Sequence, residues 1–93
     1  MHAAVGHVTI DPSRMDEAEK QLNEMVVPTA REAKGFVSGI WTHSPRGKGV
    51  GIMTFETEQD AQAFVTSMQS MEMPGDSPVT VDSMEAYTVA ATA

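Results

Sequence analysis

The chain has 93 residues, a net charge of −7 and no cysteine, and these facts exclude several kinds of protein. Without cysteine it can form neither a disulfide nor a thiolate metal site. The six lysines and arginines are scattered along the chain, whereas binding to phosphates requires clustered positive charge. We therefore expect no nucleic acid and no anionic membrane surface among its partners.

The length and the N-terminal sequence set expectations for location and assembly. Residues 1–7 lack the basic region and long apolar run of a signal peptide, and no apolar run reaches membrane-spanning length. We expect a soluble, cytoplasmic protein with a single domain, residues 1–93. A chain this short buries only roughly 60–65% of the surface that its unfolded form exposes, so self-association is the expected route to stability.

The first part of the chain predicts a strand followed by a long helix. Residues 4–10 are rich in β-branched side chains and end at a turn signal, which is typical of a strand. Asp11 favours a helix start as its N-cap. Apolar residues spaced by three and four then share one helix face: Met15, Ala18, Leu22, Met25, Val26, Ala30 and Ala33. A proline interrupts this pattern, so we expect a kink or break at Val27–Pro28 before a last helical piece that ends at Lys34.

The rest of the chain predicts a hairpin, a second helix and a last strand. Strands are expected over 36–43 and 49–55, joined by the turn residues 44–48. Thr57 begins a capping box. The apolar residues that follow it again step by three and four: Ala61, Phe64, Val65, Met68 and Met71. Residues 79–89 are expected to form the final strand.

This βαββαβ order predicts the fold. Two βαβ units joined by a hairpin give a ferredoxin-like α+β plait, in which both helices cover one face of a four-stranded antiparallel sheet. The other face of the sheet is left bare. Along the third strand, Val50, Ile52 and Thr54 alternate with Gly51, Met53 and Phe55, so neither face is strongly polar. A bare apolar face requires a partner, and we expect a homodimer through it.

Two short passages carry a resemblance to a known family. One is Gly-Phe-Val-Ser-Gly at 35–39, which follows a long helix interrupted by proline. The other is Phe-Glu-Thr-Glu-Gln-Asp-Ala at 55–61, an aromatic residue at the end of the third strand and then a capped helix. Both resemble passages of the antibiotic biosynthesis monooxygenase-like (ABM) domain of the dimeric α+β barrel superfamily. The resemblance implies that two bare sheet faces pair into a dimeric α+β barrel. It also implies a ligand pocket between the sheet and the helices of each subunit.

The haem-degrading branch of that superfamily uses three residues that this chain lacks. They are an asparagine on the first strand, a tryptophan at the end of the third strand and a histidine on the second helix. Here Gly6 and Phe55 occupy the first two positions, and the second helix has no histidine. We therefore expect no haem degradation. The cofactor-independent quinol-type oxygenases of the superfamily have less defined motifs, which this chain neither matches nor excludes.

His7 and His43 are the candidate catalytic residues. An imidazole titrates near neutral pH and can act as a general base. The alternative for His7 is a structural residue at the strand face or at the dimer seam. Trp41 and His43 share one face of the second strand, where they could line a pocket for a flat ligand. The alternative is that the second strand lies at the sheet edge and Trp41 covers the dimer interface.

Neither a metal site nor an acid–base pair of carboxylates is expected. His2 and His7 should face opposite sides of the first strand, and His43 belongs to another strand. Asp82 and Glu85 are predicted to lie on opposite faces of the last strand. No organic cofactor is implied either, because the sequence offers no site for one.

The predicted ligand pocket lies between the helices and the sheet. Its expected ligand-binding residues share an inward position on their elements: Met25, Trp41, Phe55, Phe64 and Met68. Phe55 is included because the resemblance implies a pocket aromatic at the end of the third strand. Met73 is a candidate for the edge of a lid. The alternative is a closed core, in which these side chains pack on each other and leave no cavity.

Two functions from different classes follow. The first is a small monooxygenase-like protein that binds or oxidises an aromatic or polycyclic apolar molecule without a cofactor. In such chemistry the substrate provides the reactive carbanion, and the protein provides a base, a dry pocket and orientation. The second is a non-catalytic ligand-binding domain or dimeric assembly domain.

Overall fold

The computed structural model describes residues 1–71 and 75–93. Four strands form one sheet in the order β2-β3-β1-β4, and each neighbouring pair is antiparallel. Their bounds are β1 His2–Ile10, β2 Phe36–His43, β3 Lys48–Phe55 and β4 Val79–Thr88. Two helical segments connect them, and both cover the same face of the sheet. The predicted ferredoxin-like α+β plait is confirmed, with β2 at an edge.

The first helical segment is interrupted, as the proline within it predicts. It consists of a 3₁₀ turn (Pro12–Arg14), α1 (Met15–Gln21), a π turn (Leu22–Val26) and α2 (Val27–Glu32). In the π turn the backbone N–H of Val27 bonds to the carbonyl of Leu22, one residue further back than in an α-helix. Pro28 then lies in the first turn of α2, where its missing N–H costs little. The segment ends at Glu32, two residues before the predicted Lys34.

Both predicted N-caps are formed. Asp11 Oδ1 accepts a hydrogen bond of 3.0 Å from the backbone N–H of Ser13. The second long helix, α3, spans Glu58–Ser70, and Thr57 Oγ1 accepts a hydrogen bond of 3.1 Å from the backbone N–H of Asp60. Each cap satisfies an N–H that has no partner within its helix, which typically stabilises a helix by about 1 kcal/mol.

The core lies between α2, α3 and one half of the sheet. Its buried cluster consists of small and large apolar residues: Ala4, Ala30, Met53, Phe55, Ala61, Phe64 and Val65. Phe55 is fully buried. Its ring centroid lies 5.9 Å from that of Phe36 and 5.2 Å from that of Phe64. The first helix, α1, is outside this cluster and covers the other half of the sheet.

The strand register decides which side chains share a face, because residues paired in an antiparallel sheet point to the same side. On the face covered by helices, one row across the sheet consists of Trp41, Gly51, Gly6 and Met84. The next row consists of His43, Gly49, Val8 and Val81. Trp41 and His43 therefore share the helix-covered face, and Trp41 does not lie on the bare face as the alternative for it required.

The bare face carries exposed apolar side chains at its centre. Ile40, Ile52 and Val5 form one row across β2, β3 and β1. Ile40 is 65% exposed and Ile52 is 44% exposed. His7 belongs to the next row of this face, and it is exposed.

A β-bulge in β4 overturns one expectation. The pairing of β1 with β4 shifts between His7 and Val8, which leaves Asp82 as the extra residue on β4. Thr9 faces the bare side, and its Oγ1 donates a hydrogen bond of 2.6 Å to Asp82 Oδ2. Asp82 therefore shares the bare face with Glu85, and the prediction of opposite faces was wrong because strict alternation fails at a bulge.

Among the described helices, none is long and apolar enough to cross a membrane.

Candidate functional site

A cavity of about 110 Å³ lies between the first helical segment and the half of the sheet that the core leaves uncovered. Its walls come from β1, α1, the π turn and all the remaining strands, with a contribution from α3. Most of the residues that line it are apolar: Val8, Ile10, Met15, Ala18, Leu22, Val26, Trp41, Met53, Met68, Val79, Val81 and Met84. Glu19 and His43 bring polar side chains to the cavity. Thr42 and Val50 also border it, but they pair in the row of His7, so their side chains point to the bare face.

The floor of the cavity is built on strand glycines. Gly6 and Gly51 are paired across β1 and β3 in the row that contains Trp41. A Cβ atom at Gly51 would lie 2.8 Å from Cδ1 of the Trp41 indole, and one at Gly6 would lie 2.8 Å from Cε of Met84. Both distances are shorter than real Cβ contacts, so the two glycines allow these side chains to lie against the sheet.

The roof of the cavity is the inner face of α1 and the π turn. Met15, Ala18, Leu22 and Val26 line it, at the helical spacing that the sequence predicted. Met25 was also predicted to bind ligand, but it is 37% exposed and does not line the cavity. The π turn has more residues per turn than an α-helix, so each residue rotates less about the helix axis. The residue after Leu22 that points inward is therefore Val26.

The remaining predicted ligand-binding residues divide into two groups. Trp41 and Met68 line the cavity. Phe55 and Phe64 are 0% and 4% exposed and belong to the closed core cluster instead. The cavity thus lies beside this cluster, further along the sheet than the sequence predicted. Met73, the candidate for a lid edge, lies outside the described residues.

A histidine and a glutamate meet at the edge of the apolar cavity. His43 Nε2 lies 2.9 Å from Oε1 of Glu19, and the two side chains are 34% and 54% exposed. The hydrogen bond to Glu19 is the main cause that raises the pKa of His43, and a hydrogen bond to the backbone of Ser44 adds to it. The imidazolium form of His43 is therefore favoured to higher pH than in an isolated histidine.

The structure separates the two candidate bases. His43 lies at the cavity, whereas His7 lies on the bare face on the other side of the sheet. Glu19 was not predicted as a site residue. Its spacing indicates that it lies beside the apolar stripe, because it follows Met15 by four residues and precedes Leu22 by three, but this spacing does not identify His43 as its partner.

Within residues 1–71 and 75–93, no group of three or more histidine, aspartate and glutamate side chains could hold a metal ion.

Comparison with solved structures identifies the class of fold. MhuD of Mycobacterium tuberculosis, a haem degrader with two haems bound in its active site, superimposes with a TM-score of 0.74. It is 11% identical, and the match covers 100% of this chain and 99% of that one. The sequence matches no protein-family model. It also matches no curated protein.

A second solved structure shares the fold. It is a monooxygenase from the gene ActVA-Orf6 of Streptomyces coelicolor in complex with nanaomycin D, and it superimposes with a TM-score of 0.60. It is 20% identical, and the match covers 99% of this chain and 89% of that chain. At these identities the shared feature is the fold alone, and it agrees with the fold that the resemblance implied.

Proposed function

We propose that the cavity binds a hydroxylated aromatic molecule, and that the chain oxidises this molecule with dioxygen and without a cofactor. The observation that carries the proposal is the His43–Glu19 pair at the edge of a cavity that is otherwise almost entirely apolar. Apolar walls with a few convergent polar groups are typical of a small-molecule site. His43, rather than His7, is the proposed base.

The arrangement of Trp41 and His43 suggests how such a molecule binds. The two residues are two positions apart on one face of β2, a separation of roughly 7 Å along a strand. An aromatic ring packed against the indole can therefore bring a hydroxyl group at its edge to the imidazole. A closed cavity of roughly 150 Å³ holds a benzene ring. A cavity of about 110 Å³ therefore encloses at most one ring, and a larger ligand has to extend outward past His43, which is partly exposed.

The proposed reaction converts a phenol and dioxygen into a para-quinone and water. The base takes the phenolic proton, and the phenolate carbon para to the oxygen reduces dioxygen to give a carbon-bound peroxide. The protonated base returns its proton to the peroxide. Loss of the ring C–H proton then forms the second carbonyl group, as the O–O bond breaks and hydroxide leaves. The ring proton and the hydroxide combine to form the water. All the electrons that reduce dioxygen come from the substrate.

Three observations favour this proposal over haem degradation. The position that carries asparagine in the haem-degrading branch is Gly6, which forms part of the cavity floor. The position that carries tryptophan in that branch is Phe55, which is fully buried in the core. The cavity volume of about 110 Å³ is also small beside the roughly 300–1,000 Å³ of pockets that enclose drug-sized ligands. We therefore propose that the chain does not degrade haem.

Oxygen uptake with α-naphthol tests the oxidation directly. The wild-type chain is expected to consume one mole of dioxygen for each mole of quinone formed, at a rate that saturates with α-naphthol concentration. The methyl ether of α-naphthol has no proton for the base to take and should give no uptake. Equal rates with and without the protein would contradict the proposal.

The second candidate function is assembly, and the bare face of the sheet supports it. Ile40, Ile52 and Tyr87 are 65%, 44% and 48% exposed on this face. Monomeric proteins rarely leave a contiguous apolar face in water. We therefore propose a homodimer through this face, whether or not the cavity is catalytic. A stable dimer with no oxygen uptake would favour a ligand-binding or assembly role.

The Ile52→Lys variant tests the dimer. A lysine at the centre of the bare face should prevent association, because burying an unpaired ammonium in an apolar interface is costly. Sedimentation equilibrium of the wild type should give about twice the chain mass of 10.0 kDa, and the variant should give the single-chain mass. Gln62→Lys on the exposed side of α3 is the control and should leave the dimer intact. A wild-type mass near that of one chain would rule out the dimer.

A further inference from the structure

We propose that Glu19 is a positioning residue for His43: its carboxylate holds the Nε2–H of the imidazole at the cavity edge, which leaves Nδ1 of the neutral ring to accept a proton from a ligand. This inference rests on the proposed function of His43 as base. It concerns a residue that the sequence analysis assigned to no site.

The contact joins two elements that the cavity otherwise separates. Glu19 is on α1, in the roof, and His43 is the last residue of β2, beside the floor. The Nε2–Oε1 distance of 2.9 Å is that of a good hydrogen bond. His43 is the last residue of its strand and its side chain is 34% exposed, so the imidazole needs a partner to keep one orientation. Glu19 provides that partner on the side of the cavity.

Glu19 is the charged group that contacts the imidazole of His43, because the neighbouring residues are uncharged or are bonded elsewhere. In the same row of the sheet, Gly49, Val8 and Val81 carry no charge. Lys48 is next to Gly49, but its Nζ donates a hydrogen bond of 3.3 Å to Thr9 Oγ1 on the bare side.

The remaining nearby charges belong to other contacts. Arg14, at the end of the 3₁₀ turn, forms an ion pair with Glu17 on α1, two residues before Glu19. Arg46 is exposed in the turn between β2 and β3.

The sign of the pH effect follows from this geometry. The Glu19 carboxylate favours the imidazolium and so raises the pKa of His43 above the ordinary value of 6.5. The pair stabilises the fold below the unfolded pKa, and this contribution is lost as the pH rises through the raised folded pKa. Only the neutral ring can accept a proton. Activity should therefore increase with pH as His43 deprotonates.

The Glu19→Gln variant tests the inference without relying on activity. Glutamine keeps the length of the side chain and a hydrogen-bonding oxygen but removes the charge. NMR titration of the imidazole C–H signals should show the midpoint of His43 shifted to lower pH in this variant. His2→Gln and His7→Gln assign the three histidine signals. Glu24→Gln, on the exposed side of the π turn, is the control and should leave the midpoint in place.

The dependence of oxygen uptake on pH provides the second readout. The acidic limb for α-naphthol should move to lower pH in Glu19→Gln by the same amount as the NMR midpoint. Above both midpoints, kcat should fall while KM stays unchanged, because the ring is neutral but less well oriented. An unchanged His43 midpoint in Glu19→Gln overturns the inference, even if the wild type oxidises naphthol. A lowered midpoint without oxygen uptake by any of the proteins supports the positioning role and overturns the proposed oxidation.

Discussion

Replacing His43 with glutamine should lower kcat for oxygen uptake with α-naphthol by about 10²–10⁴-fold, the usual contribution of a general base. Glutamine can still donate or accept a hydrogen bond at the cavity edge, but it cannot take the phenolic proton. KM should change little, because the indole of Trp41 and the apolar walls remain in place. The measurement is the initial rate of dioxygen consumption at a pH above the His43 midpoint.

His7→Gln is the matched comparison for that variant. His7 lies on the bare face, with the sheet between it and the cavity, so its loss should leave kcat within a few-fold of the wild type. A large loss in His7→Gln together with full activity in His43→Gln would exchange the roles of the two histidines. Full activity in both variants would show that neither imidazole is the base.

Phe55→Ala should destabilise the fold by about 3–5 kcal/mol, the usual cost of removing a fully buried phenylalanine. The ring is 0% exposed and lies between Phe36 and Phe64, so its loss leaves a cavity in the core cluster. Small domains have total stabilities of roughly 5–15 kcal/mol, so this is a large fraction of the whole. Urea unfolding followed by circular dichroism measures the loss.

Met25→Ala is the control for this prediction. Met25 is 37% exposed, so its truncation should cost less than about 1 kcal/mol. Binding of α-naphthol by the folded fraction of Phe55→Ala should be close to that of the wild type, because the ring does not line the cavity. A much smaller loss of stability, combined with weaker binding, would show that Phe55 faces the ligand.

Local signals in the sequence predicted the elements because each element begins and ends with its own chemistry. Asp11 and Thr57 cap their helices with the hydrogen bonds that such residues typically make. The proline at position 28 produced the expected interruption, although as a π turn on its N-terminal side. The order of these elements leaves few possible topologies, and this is why the plait was predictable.

The details of the candidate site depend on register and phase, which single-residue patterns do not determine. The π turn put Val26 in the roof instead of Met25. The bulge at Asp82 brought that residue to the same face as Glu85. The contact between Glu19 and His43 joins residues 24 positions apart, and no local pattern predicts such a pair.

The position of the cavity along the sheet could not be predicted from local sequence patterns, although glycines within the strands indicate it. The resemblance favoured Phe55 as the aromatic residue of the pocket, whereas Trp41 on the edge strand lies in the cavity. Gly6 and Gly51 make this possible by leaving room for the indole and for Met84 against the sheet. Glycines in the middle of strands often mark such close approaches, and their pairing becomes visible only once the register is known.

The most direct test of the central claim is the NMR signal of the Trp41 indole N–H during titration with α-naphthol. The chain has a single tryptophan, so this signal is unambiguous and reports on the wall of the cavity itself. We expect a saturable shift of this signal with α-naphthol, and weaker binding of its methyl ether, which cannot donate a hydrogen bond to His43. If α-naphthol binds without moving the indole signal, it binds outside the proposed cavity. An indole signal that stays in place at every α-naphthol concentration up to the solubility limit would equally contradict the proposed site.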